Sequence, residues 1–223
     1  AKPRSRRVAM DSPDVLKWFT VDQTDPAAAA AAPRVEKVTI APGAHQRGVV
    51  LDLPFSKFPT QQLPLHEDGL TQAHTGMFYV SCRPPKPVDV RGLNSFEIDL
   101  HASTAMFLDV LLDVGPTDER PRRLGPKVSV QVRVQPGRQI VRLDVNNLVR
   151  GGWDWQVYPR ELRGLEIVAY PQDNYYPHAP ARDGRLALFS LTARNHLPDA
   201  TDLSDGNTAI WLNQFRPNHR FAQ

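Results

Sequence analysis

Alternation of apolar and polar residues constrains this chain more than any other feature of its sequence. In the segment 95–101, Phe96, Ile98 and Leu100 are each separated by a charged or polar residue. The segment 127–134 likewise places valine at every second position. Successive side chains of a β-strand point to opposite faces, so this pattern predicts half-buried strands.

The same pattern recurs from residue 35 to residue 193, and no long helix is predicted after residue 33. Val38 and Ile40 lie on one predicted strand, and Val141 and Leu143 on another that follows a turn at Pro136-Gly137. More apolar segments are typical of core strands; they cover 106–114, 165–170 and 185–193. We predict eight or nine strands in an all-β fold, an antiparallel β-sandwich or jelly roll with irregular N- and C-terminal arms.

Three regions divide the 223 residues. Residues 1–33 form an N-terminal arm with a Pro/Ala-rich spacer, in which Ser12-Pro13-Asp14 is expected to cap a short helix through Phe19. Residues 34–198 form the β-sandwich domain, and residues 199–223 form a C-terminal tail. Both arms lack alternation, so we expect them to lie outside the central core, against its edges or a partner chain.

Charge and composition exclude several classes of partner. The formal net charge is +3 and basic residues are scattered, whereas nucleic-acid binding needs a continuous basic face. No apolar stretch approaches the ~20 residues that span a bilayer. We therefore predict neither a nucleic-acid nor a membrane partner. Cys82 is the single cysteine and is expected to be a small buried hydrophobe. We expect an extracytoplasmic or secreted location.

Motifs for metal or nucleophilic chemistry are absent from the sequence. The seven histidines show no metal-binding spacing, and no Gly-x-Ser-x-Gly segment occurs. One carboxylate pair, Glu97 and Asp99, shares the polar face of a predicted strand at a spacing of ~6.6 Å. The fragment resembles the start of the catalytic signature of jelly-roll endo-glucanases of the laminarinase type. That family needs a further glutamate on this face, and here His101 and Ala102 follow.

Two segments rich in aromatic residues are the predicted ligand site. Aromatic rings pack against the flat C–H faces of sugars, while neighbouring polar groups hydrogen-bond the hydroxyls. Segments 151–163 and 172–183 supply both kinds of group. The predicted ligand-binding residues are Trp153, Asp154, Trp155, Tyr158, Arg160, Asn174, Tyr175 and Tyr176. Alternatively, the two tryptophans close one end of the core.

The layout of residues 93–195 resembles galactose-binding-like β-sandwiches, the fold of many carbohydrate-binding modules of polysaccharide-degrading enzymes. The similarity rests on the strand 138–145, the Trp-bearing loop, the segment 162–167 and the closing strand 184–189. It implies a polysaccharide or oligosaccharide ligand and a structural calcium, for which no ligands are assigned.

Three functions stay open on the sequence alone. The first is a non-catalytic carbohydrate-binding module or accessory domain. The second is a jelly-roll glycoside hydrolase that uses Glu97 and Asp99. The third is a structural or protein-interaction domain whose terminal arms contact a protein partner. Fold alone does not choose among them.

Overall fold

The computed structural model describes residues 5–22, 32–57, 61–62, 73–74, 78–93, 95–114, 127–144, 160–171 and 182–195. Two 3₁₀ helices lie at Pro13–Trp18 and Phe55–Lys57, and the other elements are strands. These are β1 (Ser5–Ala9), β2 (Phe19–Asp22), β3 (Arg34–Ala41), β4 (Ala44–Leu53), β5 (Gln61–Gln62), β6 (Ala73–His74), β7 (Phe78–Cys82), β8 (Val88–Asp89), β9 (Ser95–Ala102), β10 (Met106–Asp113), β11 (Lys127–Val134), β12 (Gly137–Asp144), β13 (Glu161–Leu162), β14 (Gly164–Pro171) and β15 (Gly184–Arg194).

Two antiparallel sheets contain most of these strands. The six-stranded sheet has the order β12-β9-β15-β4-β3, and β1 also pairs with β15. The five-stranded sheet has the order β11-β10-β14-β7-β2. Two small ribbons, β13-β8 and β5-β6, lie beside them. The prediction of an all-β, antiparallel sandwich is confirmed.

The hydrophobic core lies between the two sheets. Ile98 and Leu100 of β9 are fully buried, as are Leu108, Val110 and Leu112 of β10, and all five belong to one apolar cluster. Alternate residues of each strand therefore face inward, as the sequence pattern predicts. Their neighbours in the chain form the two outer faces of the sandwich, where any ligand of a sheet surface must bind.

A tight turn carries the chain from the five-stranded to the six-stranded sheet. Val134 ends β11 and Gly137 begins β12, with the glycine at φ 109°. A residue with a Cβ atom would be strained at this positive φ. The turn predicted at Pro136-Gly137 is confirmed.

The N-terminal segment belongs to the sandwich. β1 pairs with β15 and β2 pairs with β7, so the segment extends both sheets. Between these strands Ser12 caps the 3₁₀ helix, accepting a hydrogen bond from the Asp14 amide at 3.4 Å. The capped short helix is confirmed.

The expectation that the N-terminal arm lies outside the core is wrong for residues 5–22. Met10, Val15 and Phe19 are 1%, 4% and 8% exposed and pack in the main core. Their spacing does not alternate because they lie on a strand end and a 3₁₀ turn. The tail 199–223 and the spacer residues 23–31 lie outside the described residues, so the domain boundaries stay predictions.

The predicted alternation of β3 holds, but Val38 and Ile40 face away from the main core. Val38 and Ile40 pack on a second cluster of Val50, Ala187 and Phe189, which lies on the outer face of the six-stranded sheet. Alternation therefore identifies a strand without identifying which face is buried against the other sheet.

Candidate functional site

Seven of the eight predicted ligand residues lie outside the described residues; the exception is Arg160. It is exposed, and its amide donates to the Val114 carbonyl at 2.9 Å while its carbonyl accepts from the Val90 amide at 2.9 Å. These two bonds anchor the end of the Trp-bearing segment next to the end of β10. The aromatic site predicted for the two segments, at Trp153, Asp154, Trp155, Tyr158, Asn174, Tyr175 and Tyr176, stays a prediction.

The two predicted segments join the five-stranded sheet at opposite ends of β10 and β14. The first segment enters at Arg160, beside Val114. The second begins after Pro171, which pairs with Met106 at the other end of β10. The attachment points therefore border both ends of the face that these strands present to solvent.

This outer face of the five-stranded sheet carries three aromatic rings, one exposed and two half-buried, and we call it the aromatic face. Phe107 of β10 pairs in register with Tyr170 of β14, and their ring centroids are 6.5 Å apart at an interplanar angle of 41°. Tyr79 of β7 pairs with Val168, two residues from Tyr170, and its side chain is 41% exposed. Such diagonal neighbours have Cα atoms about 7–8 Å apart.

Three aromatic residues thus occupy three neighbouring strands. Adjacent strands are about 4.8 Å apart, so Phe107, Tyr170 and Tyr79 span about 10 Å across the sheet. Val168 of β14 is 9% exposed and lies opposite Tyr79, two residues from Tyr170. The three rings and the valine thus provide an apolar surface on rigid strands, which hold side chains in place better than loops do.

Polar groups border this apolar surface. Gln131 of β11 donates from Nε2 to the Tyr170 hydroxyl at 3.3 Å. Asp109 of β10 lies opposite Gln131 of β11 and Val168 of β14. Further along the face, Nη2 of Arg83 donates a hydrogen bond to Oε1 of Glu166 at 3.1 Å. The face therefore combines ring surfaces with hydrogen-bond donors and acceptors.

The opposite face, on the six-stranded sheet, has a different character, and we call it the arginine face. Glu97 has a side chain only 8% exposed, and its oxygens lie 3.3 Å from Arg142 and 2.6 Å from Arg194. Asp99 is bonded by both Nε and Nη2 of Arg138, at 2.9 and 2.6 Å. Both predicted carboxylates are thus held in ion pairs with arginine.

The surroundings of the carboxylates do not supply a second acid for double displacement. The cross-strand neighbours of Glu97 are Arg142 and Thr192. Those of Asp99 are Ile140 and Ser190. Retaining glycosidases place two carboxyl groups about 5–5.5 Å apart and leave both open to the sugar. The described geometry at Glu97 and Asp99 is that of structural ion pairs.

A second network of charges lies on β3, β4 and β15 of the arginine face. Arg34 bonds Glu36 and also Asp52, the latter at 2.5 Å, and Arg185 bonds Asp52 at 3.0 Å. The hydrogen bond from Arg34 is the main reason that the pKa of Asp52 lies below its ordinary value. The same bond raises the pKa of Arg34. Asp52 and Arg34 therefore stay charged across the physiological pH range.

Phe189 is buried beneath this charged surface. Its ring lies so close to Gly48 that a Cβ atom at that position would come within 2.7 Å of the ring. The Arg138 guanidinium lies 5.5 Å from the ring centroid. The Phe189 ring on the arginine face is therefore covered, whereas the rings of the aromatic face are exposed or half-buried.

The described ranges contain neither a cluster of metal ligands nor a helix that could span a membrane. Within them, no group of three or more His, Cys, Asp or Glu side chains could hold a metal ion. The structural calcium implied by the resemblance stays a prediction. No helix of the described part is long and apolar enough to cross a membrane.

Comparison with known proteins finds similar structures but no sequence relatives. No protein-family model matches the chain, and no curated protein matches it. The chain is similar in structure to part of an exo-β-agarase, with a TM-score of 0.53 and 10% identity, over 87% of this chain and 25% of that one. It is also similar to a family 30 carbohydrate-binding module, with a TM-score of 0.48 and 14% identity, over 85% of this chain and 99% of that one. A family 11 module from Clostridium thermocellum, in complex with a β-1,3-1,4-mixed-linked tetrasaccharide, matches at a TM-score of 0.46 and 9% identity, over 86% of this chain and 98% of that one.

These likenesses concern the fold alone. At that level the predicted resemblance to β-sandwiches of polysaccharide-degrading enzymes is confirmed by the exo-β-agarase, whose TM-score is above 0.5. The chain matches about a quarter of the length of the exo-β-agarase.

Sequence reasoning missed the aromatic face because it interpreted β10 and β14 as core strands. Phe107 and Tyr170 fall at positions whose neighbours, Met106 and Ala169, are buried. In a strand with one face in the core, an aromatic residue at an alternate position must lie on the outer face. The alternation that places Phe107 and Tyr170 on an outer face is visible in the sequence. The strand register that pairs these two residues is not.

Proposed function

We propose that this chain is a non-catalytic carbohydrate-binding module, or an accessory β-sandwich domain, that binds a polysaccharide or oligosaccharide on the aromatic face. The observation that carries the proposal is the row of three aromatic residues on one sheet surface, in which Tyr79 is exposed and Phe107 and Tyr170 are half-buried. Sugar rings present apolar C–H faces that pack on aromatic rings, and sugar hydroxyls exchange hydrogen bonds with polar neighbours.

A flat, rigid surface suits a long ligand. The aromatic residues lie on three neighbouring strands, so a glycan chain crossing the sheet passes over each of them in turn. Gln131 and Asp109 lie at the level of the same rings, where they can bond hydroxyl groups. Strands pre-organise these groups, which reduces the ordering cost of binding.

The loop residues predicted from the sequence extend this proposal. The segments bearing Trp153 and Trp155, and Tyr175 and Tyr176, attach at the two ends of β10 and β14. We place them at the ends of the bound glycan, where Asp154, Tyr158, Arg160 and Asn174 would add polar contacts. A glycan ligand also agrees with the proposed extracytoplasmic location.

The test is binding to a panel of polysaccharides by affinity electrophoresis, followed by calorimetry on the best ligand. Tyr79→Ala and Phe107→Ala remove stacking surface from the aromatic face. By analogy with aromatic pairs, each loss is worth on the order of 1 kcal/mol, or about five-fold in affinity. Trp153→Ala and Trp155→Ala test the loops in the same way.

A matched control is available on the other sheet. Ile140 is 48% exposed on the arginine face, so Ile140→Ala removes a similarly exposed apolar side chain without touching the aromatic face. We expect the Ile140→Ala variant to bind the polysaccharide with the affinity of the wild type. The proposal fails if the chain binds no polysaccharide, or if Ile140→Ala weakens binding as much as Tyr79→Ala.

Catalysis has its own test. We expect no release of reducing ends from any polysaccharide, because Glu97 and Asp99 are both paired with arginine. Turnover that disappears in Glu97→Gln would instead establish a glycoside hydrolase.

A further inference from the structure

The carboxylate of Asp109 lies at the level of the aromatic rings on the outer face of the five-stranded sheet. It is half-buried on β10, between Phe107 and Leu111 in the chain and opposite Gln131 and Val168 on the neighbouring strands. Within the described ranges it makes neither a hydrogen bond nor an ion pair. An acceptor with capacity for several hydrogen bonds therefore borders the apolar surface of the aromatic face.

Acids at central positions of the arginine face have different surroundings. Glu97 and Asp99 occupy comparable central positions on β9, and each bonds one or two guanidinium groups. On the aromatic face itself, Glu166 pairs with Arg83. Glu166, Glu97 and Asp99 thus each pair with arginine, whereas within the described ranges the carboxylates of Asp109 and Asp113 on β10 do not, and of these two Asp109 lies beside the aromatic rings.

A half-buried carboxylate is costly to leave without donors, and a ligand that brings donors would offset that cost. Sugar hydroxyl groups are such donors. Carboxylate or sulfate groups on a glycan bring only acceptors and a negative charge, so Asp109 would repel them.

We infer, on the basis of the proposed function, that Asp109 determines the class of glycan bound by the aromatic face. It accepts hydrogen bonds from hydroxyl groups of an uncharged glycan and excludes carboxylated or sulfated ones. Arg133 would act in the opposite direction, because its positive charge attracts anionic glycans. It pairs in register with Phe107 on the edge strand β11 and is exposed, so an anionic glycan would bind through this guanidinium instead.

The experiment compares calorimetric affinities for neutral polysaccharides, such as galactan and mixed-linked glucan, with those for polygalacturonate. The wild type should bind a neutral glycan and show at least ten-fold weaker binding of polygalacturonate. Asp109→Asn keeps the shape of the side chain and removes its charge. We expect about five-fold weaker binding of the neutral glycan, because charge-assisted hydrogen bonds become neutral ones, and a smaller discrimination against polygalacturonate.

Asp14→Asn is the matched control, since Asp14 has a side chain that is 82% exposed on the N-terminal 3₁₀ helix. It should leave both affinities unchanged. Melting temperatures of the two variants establish that both are folded.

The inference is overturned if Asp109→Asn binds both glycans like the wild type. It is also overturned if polygalacturonate binds at least as tightly as the neutral glycan and that binding is lost in Arg133→Gln. Neutral binding that depends on Tyr79 but not on Asp109 leaves the proposed function standing and refutes only the inference. Absence of any Tyr79-dependent binding refutes both.

Discussion

Arg138 bonds both carboxylate oxygens of Asp99 across the strand pair β12 and β9, at 2.9 and 2.6 Å. The bidentate geometry fixes the guanidinium plane and places it over the ring of Phe189. Planar two-point recognition of a carboxylate is specific to arginine, and lysine cannot reproduce it. This pair therefore joins two strands of the six-stranded sheet and also covers buried aromatic surface.

Replacing Arg138 should destabilise the fold without affecting glycan binding. Arg138→Met keeps the apolar stem but leaves the Asp99 carboxylate, whose side chain is only 15% exposed, without its donors. We expect the free energy of unfolding to fall by about 1–2 kcal/mol, measured by urea denaturation. Arg91→Met is the control, because its pair with Asp89 is more exposed and should contribute little. Equal losses in the two variants would contradict a stabilising role.

The pair between Asp52 and Arg34 makes stability depend on pH. The pKa of Asp52 is lowered in the folded state, chiefly by its hydrogen bond with Arg34. The unfolded chain therefore binds the proton more readily, and the contribution of this group is fully present above the ordinary value of 3.8. It is lost as the pH falls through the lower folded value.

Asp52→Asn should accordingly unfold more easily at pH 7, by less than about 1 kcal/mol because both side chains are about a third or more exposed. The difference from the wild type should shrink as the pH falls below 3.8. Thermal unfolding between pH 2 and pH 7 checks this. A difference that grows toward acid pH would refute the assignment.

Burial should make the thiol of Cys82 unreactive. The residue is 5% exposed at the end of β7, and desolvation raises its pKa to about 12. Because the thiolate is the reacting species, we expect Ellman's reagent at pH 8 to modify the unfolded chain fast and the native chain at least a hundred-fold more slowly. Rapid stoichiometric labelling of native protein would show that the end of β7 opens.

The strands were predictable because burial imposes a period of two on each of them. Val132 and Val141 alternate with exposed or half-exposed residues, and their strands lie where the pattern placed them. Period alone could not show that Val38 packs on the outer cluster while Val35 lies against the main core. The choice of face depends on cross-strand register, which long-range pairing determines.

The candidate site was less predictable for the same reason. Phe107 and Tyr170 are 63 positions apart in the chain, and only the pairing of β10 with β14 brings them together. The loop tryptophans were predictable as a candidate site because Trp153 and Trp155 are only two positions apart in the sequence. Proximity along the chain is visible without a structure, whereas proximity across a sheet is not.

Met10 tests whether the N-terminal segment is part of the fold. Its side chain is 1% exposed, and its amide donates to the Phe189 carbonyl at 2.9 Å. It follows β1, whose five residues pair with β15. If residues 5–22 are integral, Met10→Ala leaves a cavity in the main core and should lower the free energy of unfolding by about 2–5 kcal/mol.

Lys17→Ala, in the same segment, is the control, because the Lys17 side chain is 78% exposed and its pair with Asp14 is a surface contact. It should change the free energy of unfolding by no more than about 0.5 kcal/mol. Deleting residues 1–22 should destabilise the chain further still. Both sheets would lose an edge strand, and the core would lose the buried side chains of Met10, Val15 and Phe19. A deletion variant that unfolds at the same urea concentration as the full chain would show that this segment is a detachable arm after all.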